Sequence, residues 1–138
     1  DLTPLSHAVA VVVKRDGKFL LIKRAKQDEA ENYWCPITGA VEDGETQQQA
    51  VVREAFEEMG IQVEPVRKVW ECTTHDGRYI LHWWKVDLIH DHITENPDEV
   101  KAHTWVSVSE MQDIENMFEA DRLFFKTYGS PLPDTTAG

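Results

Sequence analysis

The 138-residue sequence predicts an α/β fold, a mixed β-sheet flanked by helices, and three observations carry that expectation. Two β-rich stretches each turn back at an Asp-Gly pair, a capped helical segment lies between them, and a second apolar periodicity closes the chain. With 41% hydrophobic residues the chain is long enough for one well-packed core, so residues 1–138 are read as one domain.

The elements follow in order. His7 to Val13 and Phe19 to Ile22 are β-branched or aromatic runs around Asp16-Gly17, a hairpin signal. From Gln27 to Glu45 polar residues, Pro36, Gly39 and Gly44 predict a long functional loop. Thr46 with Gln49 has the form of a capping box and Gly60 is a stop signal, so Gln47 to Met59 is expected to be helical. Val63 to Thr73 and Tyr79 to Ile89 form a second hairpin around Asp76-Gly77. His103 to Val108 is read as a strand, and Met117, Phe118, Leu123, Phe124 and Phe125 as one closing amphipathic helix. Residues 129–138, with two prolines, are expected to fray.

Charge narrows the partners. Fourteen Lys and Arg against 25 Asp and Glu give a net charge of −11, which repels a nucleic-acid duplex. A small polyphosphate is still compatible if divalent cations sit between it and protein carboxylates. Cys35 and Cys72 have neither disulfide-framework nor zinc-site spacing, consistent with a cytoplasmic protein. The aliphatic run Ala8 to Val13 is too short to cross a membrane, and no membrane partner is expected.

At 100° per residue, Glu54, Glu57 and Glu58 share one side of the predicted helix, opposite Val52, Ala55, Phe56 and Met59. Carboxylates at this spacing repel, and Glu57 and Glu58 sit where the helix dipole disfavours anions. Hard cations such as Mg²⁺ or Mn²⁺ would relieve that cost, which weighs against a merely solvated acidic face. Arg53 lies four residues before Glu57, placed to offset and orient the cluster.

Gly39, Glu45, Arg53, Glu54, Glu57, Glu58 and Gly60 fit the pattern G-x5-E-x7-R-E-U-x-E-E-x-G-U, with Ala55 and Ile61 at the bulky aliphatic positions U. This resembles the Nudix box of the MutT/Nudix hydrolases. The resemblance implies an α/β/α sandwich and a metal site made by Glu54, Glu57 and Glu58, with the carbonyl of Thr38 as an extra ligand. It implies in-line attack of water on phosphorus, with Arg53, Glu54 and Glu57 in the catalytic group and Mg²⁺ or Mn²⁺ as cofactor. The base is expected on the box helix or on a later loop; there Glu99 is preferred, as base or further ligand, against a solvated loop carboxylate.

The implied substrate is a small nucleotide-like molecule, a nucleoside diphosphate linked to another group, and foremost a nucleoside triphosphate cut to monophosphate and pyrophosphate. Tyr79, eighteen residues beyond Ile61, resembles a position in dinucleoside polyphosphate hydrolases. Thr38 to Glu45 is similar to the dihydroneopterin triphosphate branch. A catalytically silent nucleotide-binding module is the alternative of another class, in which the box would be expected to decay. Monomer and homodimer both stay open. Arg24 resembles a basic residue that touches phosphate, with a solvated strand-end cation as the alternative. Trp34, Tyr79, Trp83 and Trp84 are candidates to stack a base, against core packing. Trp83 and Trp84 point to opposite faces of their strand, so one is expected in the core and the other toward a cleft.

Overall fold

The computed structural model describes residues 5–136. Strands β1 (Ser6–Arg15) and β2 (Lys18–Arg24) form the first hairpin, and its turn residues Asp16 and Gly17 both take positive φ, 53° and 76°. That is the geometry a two-residue hairpin turn demands. The stretch expected as one loop instead holds two short strands, β3 (Trp34–Cys35) and β4 (Ile37–Ala40), separated by Pro36. Their pairing partners are distant in sequence, so no local pattern announces them.

Helix α1 (Gln47–Met59) begins and ends where its signals place it. Thr46 Oγ1 accepts from the Gln49 amide while the Gln49 side chain accepts from the Thr46 amide, and Gly60 closes the helix at φ 68°. Its packed stripe is Ala50, Val51, Ala55 and Met59; Val52 and Phe56, expected on the buried side, are exposed. The pair at i and i+4 forms a separate stripe rotated toward solvent.

β5 (Gln62–Thr73) and β6 (Tyr79–His90) make the second hairpin, and β7 (Val100–Val106) follows a loop. The closing region is not one helix. α2 (Val108–Met111), α3 (Glu119–Phe124) and a π-helical turn at Phe125–Gly129 replace it. Beyond that turn, Lys14 Nζ donates to the carbonyls of Gly129, Ser130 and Leu132, and Leu132 is buried. The Thr135 amide donates to Lys14 O, and Thr135 Oγ1 accepts from the Leu88 amide. Residues 130–136 therefore dock where fraying was expected, because a buried ammonium satisfies carbonyls the ended helix leaves open. Residues 137 and 138 lie outside the described part.

β1 is the hub of the sheet. It pairs antiparallel with β4 from Ala8↔Ala40 to Val11↔Ile37, and parallel with β6 from Ser6↔Tyr79 to Val13↔Val86; β6 carries β5. β2 stays with β1 only at Lys14↔Phe19 and Arg15↔Lys18, then diverges to carry β3 and β7. The parting of β1 from β2 opens a cleft. Alternation along β1 supplies both faces, Val9, Val11 and Val13 against α1, and Ala8, Ala10 and Val12 against the C-terminal helices. No helix among the described residues is long and apolar enough to cross a membrane.

Candidate active site

Arg53 organises the entry to α1. Its Nε and Nη2 donate to the two oxygens of Glu45 at 2.7 and 2.9 Å, Nη2 also reaches the Ala40 carbonyl at 2.9 Å, and Nη1 donates to Glu57 at 3.1 Å. The same Nη1 lies 3.4 Å from Glu54. Glu45 in turn accepts from the Glu42 amide, so one guanidinium fastens loop, strand and helix. The paired Arg53 holds the Glu45 carboxyl below its usual range.

Glu54 lies flat against Gly39. A Cβ at that glycine would fall 1.6 Å from Glu54 Oε2 and 2.0 Å from its Cδ, so the strand needs a residue with no side chain there. Burial pushes the Glu54 carboxyl up to about 7, with Arg53 opposing and Glu57 and Glu99 adding to the rise. Glu58, 5% exposed, is pushed further, to about 9, by burial and then by Glu54 and Glu99. Glu57 is exposed at the helix edge.

The loop after β6 is bolted to the end of this helix. The Thr94 amide donates to Met59 O at 2.8 Å and the Asn96 amide to Glu58 O at 2.9 Å. Glu99 is fixed by its carbonyl, which accepts from the Ala25 amide at 3.0 Å. Glu58, Glu99, Thr38 and Gly39 then line one part of a cavity of about 960 Å³ in the cleft. Arg24 and Lys26 supply positive charge to the same cavity, and Tyr33, Tyr79, Phe118 and Asp121 line it as well.

The fold thus brings together Thr38, Glu58, Glu99, Arg24 and Tyr79, with Arg53, Glu54 and Glu57 linked beside them. It does not bring the tryptophans there. Trp83 is fully buried and stacks on Phe124 at 4.1 Å, on the face covered by the C-terminal helices. Trp84 points to the other face as expected, but α1 covers that face too, and its Nε1 donates to Gln47. Both are structural because the sheet is covered on both sides. Trp34 lies outside the cavity lining, with Lys23 Nζ 5.9 Å from its ring. Tyr33, Lys26, Phe118 and Asp121 carried no local signal, since only the tertiary fold turns the loop after β2 and the region around α3 toward one cleft.

The donor set suits a divalent cation. A buried and a half-buried carboxyl with raised proton affinity, a third nearby and an adjoining backbone carbonyl are hard oxygen donors of the kind Mg²⁺ and Mn²⁺ prefer, and a cation would compete with protons for them. Among the described residues, however, no three Asp, Glu, His or Cys side chains already converge as a closed cage.

A NUDIX domain family model matches residues 4–128. The CTP pyrophosphohydrolase of Escherichia coli strain K12 is 38% identical over 106 residues, which is 75% of this chain and 77% of that protein. A NAD-capped RNA hydrolase of Deinococcus radiodurans is 28% identical over 86% of the chain, which spans only 43% of that protein's length. Among solved structures, that of the E. coli ORF135 protein superposes with TM-score 0.78 at 31% identity, covering 92% of this chain and 90% of that one. The MutT protein from Methanosarcina mazei Go1 shares the fold with TM-score 0.82 at 21% identity, over 94% and 96% of the two chains. The family match takes in box helix, both hairpins and β7 alike, and on that ground the chain belongs to the NUDIX family and is a Nudix pyrophosphohydrolase.

Proposed function

We propose that the enzyme cleaves a nucleoside triphosphate to the monophosphate and pyrophosphate, with CTP the first substrate to test. The observation that carries this reading is a single cavity with the buried box carboxyl Glu58 and Glu99 at one part and aromatic rings at another, the two demands of a nucleotide polyphosphate. The 38% identical relative that bears the name CTP pyrophosphohydrolase supports the choice.

Glu54, Glu57 and Glu58, with the Thr38 carbonyl, would hold Mg²⁺ or Mn²⁺, which when bound neutralises phosphoryl charge and positions water. Arg53 keeps Glu54 and Glu57 oriented and fixes the end of β4, the strand that carries Gly39. Glu99 accepts the proton from water as the new P–O bond forms and the anhydride P–O bond breaks. Lys26 and Arg24 attract the polyphosphate into an otherwise acidic protein, and Tyr79 flanks the base.

Phosphate release, with and without added inorganic pyrophosphatase, would be measured across CTP, other triphosphates, dinucleoside polyphosphates and dihydroneopterin triphosphate in Mg²⁺ or Mn²⁺. Phosphate from CTP only when pyrophosphatase is present supports the reading. Preference for a dinucleoside polyphosphate or the pterin overturns it.

A further inference from the structure

Lys101 and His103 of β7 do not line the cavity, yet each is bonded to one of the two loops that meet at Glu99. His103, paired with Ile22 across the sheet, donates from Nδ1 to Glu95 Oε2 at 2.6 Å. Glu95 stands between Thr94 and Asn96, whose amides finish α1, and Asn96 O in turn accepts from the amides of Glu99 and Val100 at 3.0 and 2.8 Å. On the other side, Lys101 Nζ donates to Glu31 Oε2 at 2.8 Å and to Asn32 Oδ1 at 2.6 Å. Asn32 holds a positive φ of 70°, in the loop that begins at Ala25, whose amide donates to Glu99 O. Pairing with β2 passes from Lys23↔Ala102 to Arg24↔Val100, so Lys101 is the extra residue of a bulge just beyond Glu99. Bulges of this kind re-aim the side chains beside them.

Glu99 needs such a hold. Its charge raises the proton affinity of both Glu54 and Glu58, so the three carboxylates repel one another, and that repulsion turns the Glu99 loop outward unless the loop is fixed. Both β7 pairs are partly exposed, and ion pairs in that setting add little to folding stability, so position is what they can supply. Resting on the reading of Glu99 as the group that takes the proton from water, we propose that His103 and Lys101 are positioning residues that clamp Glu99 between the two loops and hold its carboxylate beside Glu58 for the attacking water.

A clamp acts on the chemical step through Glu99 alone, which a double-mutant cycle reads. The assay is steady-state hydrolysis of the nucleotide that the wild-type enzyme turns over fastest. His103→Ala and Lys101→Ala should each lower kcat by about 10-fold and move KM by less than about twofold, since displacing a reacting group costs rate rather than binding. In His103→Asn the amide nitrogen takes the place of Nδ1, and kcat should return to within about threefold of wild type. In a Glu99→Gln background, His103→Ala should lower kcat by less than about twofold further. An equal loss in both backgrounds marks a merely structural role and overturns the proposal, as does a His103→Ala kcat within about twofold of wild type. If His103→Ala does not fold, Glu95→Ala removes the same bond from the loop side and is read in the same cycle with the same outcomes. Full kcat in Glu99→Gln alone would remove Glu99 as proton acceptor and the clamp with it. A large loss in Glu99→Gln without any in His103→Ala leaves that reading standing and removes only the clamp.

Discussion

Gly39→Ala should disable the enzyme without unfolding it. The added Cβ would lie 1.6 Å from Glu54 Oε2 and 2.6 Å from its Cγ, so the Glu54 carboxylate must retreat by about 2 Å to reach ordinary contact distance. A shift of that size would carry the carboxylate out of its 3.4 Å approach to Arg53 Nη1. A displacement of this size at a cation ligand is expected to lower kcat by about 100-fold, equivalent to about 2.7 kcal/mol at the transition state. Gly39 is not held at positive φ, and the obstructing atoms are the end of a flexible side chain, so the melting temperature should move by no more than about 2 °C. The assay is CTP turnover coupled to pyrophosphatase over a Mg²⁺ titration, beside a thermal melt of the same preparation. If Gly39→Ala kept more than half its kcat with the same Mg²⁺ dependence, the proposed role of Glu54 would fall.

The remaining expectations concern separate parts of the fold. Arg53→Lys retains the charge but not the fork that holds Glu45, Ala40 O and Glu57, and should reduce kcat/KM by about 10- to 100-fold; steady-state kinetics checks this. Glu58 binds its proton in the folded protein up to about pH 9 but in the unfolded chain only to about 4.5, so metal-free stability should decline as pH rises between those values. Glu58→Gln should flatten that decline and raise the pH 8 melting temperature by about 5 °C, and an unchanged slope in scanning calorimetry would contradict it. Trp83→Ala should cost about 3–5 kcal/mol in urea unfolding, as for other buried aromatics. Trp84→Phe, which loses only the bond to Gln47, should cost about 1 kcal/mol and leave the KM for CTP unchanged, whereas a raised KM would return Trp84 to the cleft.

Signals that act over a few residues were readable in the sequence. Thr46, Gln49 and Gly60 satisfy helix-end groups within one turn, and Asp16-Gly17 closes a hairpin through its own dihedrals, so α1 and the β1–β2 turn fall where expected. The box spacing likewise placed Glu54 and Glu58 on one helix. The short β3 and β4 were not readable, because their bonds are to β2 and β1 rather than to neighbours. Alternation correctly sent Trp83 and Trp84 to opposite faces but could not tell that both faces are covered. Asp121 carried no mark in the sequence, since an acidic residue in an amphipathic stretch is ordinarily solvated; only the packing of α3 over the cleft buries it.

The two amides that Thr94 and Asn96 give to the last carbonyls of α1 turn the loop before β7 into an extension of the helix. Opening that loop means breaking bonds that finish the helix, so Glu99 and Glu58 travel as one body rather than as a lid and a base. Substrate entry then has to be accommodated from the other rim of the cleft, where the Thr74–Arg78 turn stands. Amide exchange should reflect the division, with Thr94 and Asn96 as slow as the interior of α1 and Gly77 fast by comparison.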